Sequence, residues 1–265
     1  MKFCVSLCLL LSFFLTSFGQ DYALKQLEKS PRHGEWVNLP NGKRSVHCFV
    51  VYPEKSTKAL VAIIIHENRG LTDWVRSFAD QLAAQGYITI APDLLSDFDS
   101  LHSATSSFPN SDEARDAIYK LPAEQVMSDL NTVEQYAEKI PSGNGKTVSI
   151  GFCWGGSQSF HFATVNKKIK AALVFYGTAP DSDEAISAIS APVYGFYGGD
   201  DERIAAGIPD TESRMKAAGK KYEYVIYQGA GHAFMRRGDD PETKDGNRTA
   251  RDESWKRMLK ILSGI

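Results

Sequence analysis

A glycine-flanked cysteine at the end of an apolar strand constrains the fold of this chain more than any other feature. In the segment V-S-I-G-F-C-W-G-G, residues 148–156, Gly151 stands two positions before Cys153 and Gly155 two positions after it. Small residues at these positions let a strand turn sharply into a helix, and the turn holds its central residue in a strained conformation that lifts the side chain above the sheet. The pattern predicts that Cys153 is presented as a nucleophile.

Two other interpretations of this segment have to be weighed. A cysteine after an apolar strand is most often a small buried hydrophobe, and glycine-rich turns between a strand and a helix also bind phosphates. The chain has no G-x-x-x-x-G-K-S/T segment and no G-x-G-x-x-G in its first strand–helix unit, which disfavours phosphate binding. The choice between nucleophile and buried hydrophobe therefore depends on the rest of the chain.

Length and charge limit the classes of protein that this chain can belong to. With 265 residues, 43% of them hydrophobic, it can fill one large core, and no shift in composition marks a second domain. The net charge of −2 and the scattered basic residues exclude a nucleic-acid footprint. We expect one domain over residues 20–265 that needs no metal or cofactor; both a monomer and a small homo-oligomer are compatible with the sequence.

Residues 1–19 have the pattern of a signal peptide. Lys2 precedes an apolar run from Phe3 to Phe18, and Ser17 and Gly19 supply small residues at the −3 and −1 positions of a cleavage site before Gln20. The run is shorter than the roughly 20 residues that span a bilayer, so a retained anchor is the weaker alternative. The sequence predicts an exported protein, periplasmic or secreted, without stable membrane insertion after cleavage.

Removal of the leader would leave only two cysteines, Cys48 and Cys153. Two are too few for a disulfide scaffold, although a single bridge between them is conceivable in an oxidising compartment. Such a bridge would consume the thiol that the glycine-rich turn presents. We therefore expect both thiols to be free.

Hydrophobic periodicity predicts strands that alternate with helices along the whole chain. The predicted strands are 45–52, 59–65, 87–91, 147–150, 171–176, 193–197 and 222–227, and the predicted helices are 74–85, 113–120, 123–139, 155–165, 211–218 and 250–262. Residues 97–112, rich in Ser and Asp, are predicted to be a mobile loop. This order indicates an α/β protein with a mostly parallel sheet covered by helices on both faces, with its ligand at the carboxyl ends of the strands.

A histidine and a carboxylate follow two of these strands at positions that suit a thiol nucleophile. Cysteine reacts as the thiolate, so a base must lie near it, and His232 follows the last strand through the flexible segment Q-G-A-G. Asp200 and Asp201 follow the strand 193–197, and one of the two is expected to orient the imidazole. The chain order of nucleophile, acid and histidine is that of α/β-hydrolases.

Three segments together resemble the dienelactone hydrolase family, in which cysteine is the nucleophile of an α/β-hydrolase fold: G-F-C-W-G-G at 151–156, G-G-D-D at 198–201 and G-H-A-F-M-R at 231–236. The resemblance runs from about Val46 to the C-terminal helix. Alignment with the family's G-G-x-D motif favours Asp201 over Asp200 as the acid. It also implies that Glu67 contacts the resting thiol and keeps it protonated until substrate binds, and that the amides of Asn68 and Trp154 form the oxyanion hole.

The resemblance further implies two arginines that grip a substrate carboxylate, at Arg115 and Arg236. Arg115 lies among acidic neighbours, so a solvated helix residue is an equal alternative there. Arg69 stands where well-known members of the family have an apolar residue, which adds a third candidate anion contact. Pocket shape, and with it the substrate, is therefore not transferable from the family.

The favoured function is a cofactor-independent hydrolase of a small-molecule ester or lactone, with or without a carboxylate, acting through Cys153, His232 and Asp201 and an acyl-enzyme intermediate. A thioesterase or acyl transferase would use the same residues, because the acyl-enzyme is shared. The alternative outside catalysis is a small-molecule binding protein with a decayed site. All the residue types that catalysis needs are present, which argues against decay.

Overall fold

The computed structural model describes residues 21–265, in which eight strands form one sheet. The strands are β1 (Gly34–Asn41), β2 (Arg44–Val51), β3 (Ala59–Ile65), β4 (Ile88–Asp93), β5 (Gly143–Phe152), β6 (Ala172–Phe175), β7 (Val193–Gly198) and β8 (Tyr222–Tyr227). Their order across the sheet is β1-β2-β4-β3-β5-β6-β7-β8. The β1–β2 and β2–β4 pairs are antiparallel, and the remaining pairs are parallel.

Helices cover both faces of this sheet. They are α1 (Asp21–Glu28), α2 (Asp73–Ala84), α3 (Ser111–Ile118), α4 (Ala123–Ala137), α5 (Trp154–Val165), α6 (Asp183–Ala188), α7 (Glu202–Ala205), α8 (Ile208–Ala217), α9 (Phe234–Asp239) and α10 (Gly246–Ser263). One apolar core contains side chains from α1, α2, α9 and α10, and a second contains side chains from α4, α5, α6 and α8. The predicted α/β-hydrolase fold, with helices on both faces, is confirmed.

Strand β3 shows why the sequence requires two covered faces. All seven residues of A-L-V-A-I-I-I are buried. Leu60, Ala62 and Ile64 belong to one core, and Val61 and Ile63 belong to the other. A strand that is apolar at every position cannot leave either face in water, so β3 lies in the middle of the sheet.

Five of these elements are not among the strands and helices predicted from the sequence. Helix α1, strand β1 and the short helices α6, α7 and α9 were not predicted. Strand β1 alternates between exposed and partly buried positions and includes the exposed Trp36 and a proline, Pro40, so its pattern is not that of a core strand. Four- and six-residue helices are too short to show a 3.6-residue period.

The segment predicted to be a mobile loop, residues 97–112, contains defined structure. Helix α3 begins at Ser111, because the Asn110 side chain accepts hydrogen bonds from the amides of Asp112 and Glu113. A 3-10 turn at Thr105–Ser107 lies within the segment. The Thr105 hydroxyl donates to Asp93, which ends β4, at 2.7 Å. Hydrogen bonds thus anchor this segment beside the carboxyl edge of the sheet.

The predicted signal peptide, residues 1–19, lies outside the described residues. Within residues 21–265, no helix combines the length and the apolar character that a bilayer crossing requires.

A buried carboxylate gives a test of the packing between α4 and the first two strands. Asp129 is fully buried, accepts a hydrogen bond from Asn41 at 2.7 Å and forms an ion pair with Arg44. Asp129→Ala leaves the mostly buried Arg44 without its counter-charge, so we expect the free energy of unfolding to fall by about 3 kcal/mol. Urea unfolding would measure it. The control Asp252→Ala removes an exposed carboxylate, and its partner Arg251 keeps the ion pair with Asp239, so this variant should cost under about 0.5 kcal/mol. Equal losses in the two variants would contradict the prediction.

Candidate active site

The turn between β5 and α5 holds Cys153 in a backbone conformation that side chains rarely adopt. Its φ is 54° and its ψ is −118°. A Cβ atom on Gly151 would lie 1.9 Å from the carbonyl oxygen of Gly155, and one on Gly155 would lie 2.2 Å from that of His66. Only glycine allows helix α5 to approach the ends of β5 and β3 this closely. The close approach places Cys153 at the carboxyl edge of the sheet.

The structure brings three of the predicted site residues into one hydrogen-bonded chain. His232 Nε2 lies 3.1 Å from Cys153 Sγ, and His232 Nδ1 lies 2.5 Å from Asp201 Oδ2. Asp201 is buried, whereas its neighbour Asp200 is exposed. Of the two adjacent carboxylates, Asp201 is therefore the one that contacts the imidazole.

Packing and hydrogen bonds hold the loop that carries His232. The amide of Asp200 donates to the carbonyl oxygen of Ala230 at 3.0 Å, and the amide of Gly231 donates to the Asn247 side chain at 3.0 Å. The ring of the buried Tyr176 packs edge-on against the imidazole, with centroids 5.1 Å apart. The two hydrogen bonds hold the backbone of the loop, and the packing of Tyr176 restricts the orientation of the imidazole.

A buried carboxylate faces the thiol from the turn after β3. Glu67 is 8% exposed; its Oε2 accepts a hydrogen bond from Arg236 Nε at 2.7 Å, and its carboxylate also interacts with the hydroxyl of the buried Tyr176. Burial, and then the Glu67 charge, raise the pKa of the Cys153 thiol to about 11. The amides of Trp154 and Asn68 and the positive charge of Arg203 act in the opposite direction. The resting thiol is consequently neutral near pH 7.

His66, which the sequence analysis did not single out, supports the turn that carries Glu67 and Asn68. Its Nδ1 lies 2.7 Å from the Glu67 carbonyl oxygen and its Nε2 lies 3.2 Å from the Leu94 amide, which fixes the tautomer with hydrogen on Nδ1. Complete burial lowers the pKa of His66, so the ring is neutral. Its ring also stacks on the ring of Trp154, with centroids 5.5 Å apart. The signal in the sequence was a histidine directly after a fully apolar strand.

The three predicted arginines occupy different surroundings. Arg236 pairs with Glu67, and its carbonyl oxygen accepts a hydrogen bond from Tyr22 of α1 at 3.0 Å. Arg69 donates to Ser111 at 2.8 Å. Arg115 forms ion pairs with Asp116 at 2.9 Å and Asp112 at 3.1 Å on the surface of α3. The structure does not bring Arg115 to the wall of the cavity beside Cys153.

Two separate cavities lie at this edge of the sheet. The cavity beside the thiol has a volume of about 300 Å³ and is lined by Tyr119, Cys153, Trp154, Ser157, Tyr176, Thr178, Arg203 and Ile204. A larger groove of about 590 Å³ is lined by Arg69 and Arg236, together with Trp36 and Arg76. Arg203, Tyr119 and Tyr176 were not predicted from the sequence to line a cavity. Within residues 21–265, no three His, Cys, Asp or Glu side chains form a group that could hold a metal ion.

The strand order, together with Cys153, His232 and Asp201 at the carboxyl edge of the sheet, is that of an α/β-hydrolase fold, with a thiol in the turn after β5. The model of the dienelactone hydrolase family matches residues 46–265, so this chain belongs to that family. It is a hydrolase of the class that acts on ester and lactone bonds. The resemblance stated from the three sequence segments is thereby confirmed.

Individual relatives agree with this assignment. The chain is 31% identical over 251 residues to a "Putative carboxymethylenebutenolidase" of Saccharolobus solfataricus, covering 83% of this chain and 94% of the relative. It is 29% identical to a protein of the same name from Salmonella typhimurium, with 84% of each chain covered. A solved structure described as a "Putative Dienelactone Hydrolase" from Klebsiella pneumoniae matches 88% of this chain and 99% of its own with a TM-score of 0.77; its 23% identity supports the fold alone.

The effect of Glu67 on the thiol can be measured directly. The Glu67 carboxylate raises the pKa of Cys153, so Glu67→Gln should lower that pKa, more so because the charge of Arg236 is then uncompensated. We expect faster alkylation of Cys153 by iodoacetamide in the variant at about pH 8, because the thiolate is the reacting form. Peptide mass spectrometry would give the rates. Glu184→Gln, an exposed carboxylate on α6, is the control; an unchanged or slower rate in Glu67→Gln would contradict the prediction.

Proposed function

We propose that this hydrolase cleaves its ester or lactone substrate through a Cys153-His232-Asp201 triad and an acyl-enzyme intermediate. The observation that carries the proposal is the continuous contact from Asp201 Oδ2 through both ring nitrogens of His232 to Cys153 Sγ, at 2.5 and 3.1 Å. A carboxylate at Nδ1 holds the tautomer whose Nε2 can accept the thiol proton. The site needs no metal or cofactor for this chemistry.

The acylation step follows from these positions. His232 Nε2 takes the proton of the Cys153 thiol as the sulfur attacks the carbonyl carbon, and the carbonyl oxygen becomes an oxyanion. The amides of Asn68 and Trp154, which both stabilise negative charge on the sulfur, are the donors for that oxyanion. The carbon–oxygen bond of the leaving alcohol then breaks, and His232 returns the proton to that oxygen, which leaves an acyl group on Cys153.

Deacylation reverses these roles with water in place of the alcohol. His232 removes a proton from the water as its oxygen attacks the thioester, the carbon–sulfur bond breaks, and the sulfur recovers the proton from His232. The Asp201 carboxylate orients the ring and stabilises the imidazolium. The acid product is released and the resting thiol is regenerated, with no net change in the enzyme.

Glu67 is proposed to delay formation of the thiolate until substrate is bound. Its charge, close enough to raise the pKa of Cys153, opposes a negative sulfur in the resting site. Arg236 is the partner of Glu67 in this state, and we propose that it exchanges this ion pair for a substrate carboxylate. Arg69 and Arg115 remain candidates for the same role, and Arg115 would have to leave Asp112 and Asp116 to reach it.

Export is proposed from residues 1–19 alone, with residues 20–265 as the mature single-domain enzyme. The support is the charged start, the apolar run and the small residues before Gln20. Intact-mass measurement of protein recovered outside the cytoplasm tests it. We expect a chain that begins at or near Gln20, whereas an unprocessed chain retained inside the cell would contradict export.

Substitutions in the triad test the mechanism and the choice between the two aspartates. Cys153→Ala and His232→Ala should abolish hydrolysis of 4-nitrophenyl acetate. Asp201→Asn should lower kcat by about a thousandfold or more, because the imidazole loses the partner that fixes its tautomer. Release of 4-nitrophenolate gives the rates.

Asp200→Asn is the matched control for the aspartate. It removes a carboxylate one residue away that is exposed and does not contact the imidazole, so its rate should stay within about threefold of wild type. Full activity in Cys153→Ala, or a larger loss in Asp200→Asn than in Asp201→Asn, would reject the proposed triad. Circular dichroism of each variant separates loss of chemistry from loss of fold.

A further inference from the structure

One arginine that lines the cavity beside Cys153 has no role predicted from the sequence. Arg203 belongs to α7, the four-residue helix that begins directly after Asp201. Its side chain is exposed and lines the same cavity of about 300 Å³ as Cys153. Its guanidinium makes no hydrogen bond or ion pair with any residue of the described range, 21–265.

The other arginines near the site are already paired with protein groups. Arg236 is held by Glu67, Arg115 by Asp112 and Asp116, and Arg69 lies 3.7 Å from Asp112. A ligand that binds any of these must compete with a carboxylate of the protein. Arg203 carries no such competitor, and a guanidinium offers a planar set of donors that matches an oxyanion bidentately.

The residues that line this cavity favour a ligand with a negative charge. Among the residues of 21–265 that line it, Arg203 is the one formally charged group, and none is Asp or Glu. Tyr119 and Trp154 contribute aromatic surface, and the hydroxyls of Ser157 and Thr178 lie 3.0 Å apart in a mutual hydrogen bond. A planar or apolar body with one negative group has complementary partners here, whereas a cationic ligand would be repelled by Arg203, and no lining carboxylate offsets that charge.

We propose that Arg203 determines specificity by binding an oxyanion, a carboxylate or phosphate group, carried by the molecule whose ester bond Cys153 attacks. That the bound molecule is a substrate rests on the proposed function, whereas the anion site itself does not depend on it. It places the anion in the nucleophile's own cavity, whereas Arg236 and Arg69 line the separate groove. The charge of Arg203 also reaches the sulfur, since it favours the thiolate of Cys153.

Alkylation of Cys153 with two reagents of nearly equal size tests the anion site without any need for turnover. Iodoacetate carries a carboxylate and iodoacetamide is neutral, and both form the same carbon–sulfur bond to the thiolate with release of iodide. The ratio of their rates cancels any change in the pKa or nucleophilicity of the thiol. Peptide mass spectrometry restricts the measurement to Cys153, and the second free thiol in the described range, Cys48, is buried.

Arg203→Met keeps most of the length of the side chain and removes its charge. We expect the ratio of the iodoacetate rate to the iodoacetamide rate to fall about fivefold, the upper range for an exposed ion pair. Arg203→Lys should retain part of the wild-type ratio. Lys216→Met, which removes one exposed positive charge on α8, should leave it unchanged and is the control for net charge. A change of less than about twofold in Arg203→Met, or an equal change in Lys216→Met, would overturn the proposal.

Paired esters then identify the anion and its position. The 4-nitrophenyl monoester of glutaric acid is compared with neutral 4-nitrophenyl pentanoate for an anion on the acyl side, and 4-acetoxybenzoate with its methyl ester for an anion on the leaving side. Acetate esters of 4-hydroxyphenyl phosphate supply the phosphate arm. In Arg203→Met we expect kcat/KM to fall about tenfold for at least one anionic ester and to change little for its neutral partner.

The two experiments separate failure of this proposal from failure of the hydrolase mechanism. If the alkylation ratio falls and no ester is hydrolysed by the wild type, the anion site stands and the proposed mechanism fails. If esters are hydrolysed but Arg203→Met lowers the rates of anionic and neutral esters equally, Arg203 affects only the nucleophile and the specificity proposal is rejected. Thermal unfolding of each variant confirms that the exposed substitution leaves the fold intact.

Discussion

The close packing of α5 against the ends of β5 and β3 is the constraint on which the site depends. The carbonyl oxygens of Gly155 and His66 occupy the space where any side chain at Gly151 or Gly155 would project. This approach holds Cys153 at a positive φ. It also brings the amide of Trp154 and the turn with Glu67 and Asn68 close to the Cys153 sulfur. The backbone strain at Cys153 is maintained because the sheet and the helix on either side are buried and cannot relax.

Charge is distributed unevenly around the sulfur. Glu67 and burial favour the neutral thiol, while two amides and the charge of Arg203 favour the thiolate. Arg236 offsets the charge of Glu67 through a hydrogen bond to one of its two carboxylate oxygens. A ligand that disturbs this pair would therefore alter the protonation of the Cys153 thiol, and the proposed coupling of substrate binding to thiolate formation depends on this contact.

The two cavities give the edge of the sheet two chemically distinct surfaces. The groove with Arg69 and Arg236 contains arginines that are paired within the protein. The cavity with Cys153 contains Arg203, whose guanidinium has no hydrogen bond or ion pair within residues 21–265. Family membership accounts for the fold and the class of reaction. The role proposed for Arg203 in selecting anionic esters goes beyond what family membership shows.

The sequence by itself determined the parts of this protein that depend on local pattern. The apolar run of β3 required a central strand, the glycines around Cys153 required a sharp turn, and the order of Cys153, Asp201 and His232 indicated the fold class. These signals are short-range or follow from chain order, so one sequence suffices to detect them. The family resemblance favoured Asp201 over Asp200, and the structure shows that Asp201 is the one in contact with the imidazole.

Only the tertiary structure decided which distant side chains meet. Arg236 meets Glu67, 169 positions away along the chain, and His66 reaches the amide of Leu94. Arg115, predicted for substrate binding, lies among acidic neighbours on α3, whereas Arg203, which no motif marked, lines the cavity. Periodicity reports which face of an element is buried, but the partner of a single polar side chain depends on how loops and short helices pack, and these carry no periodic signal.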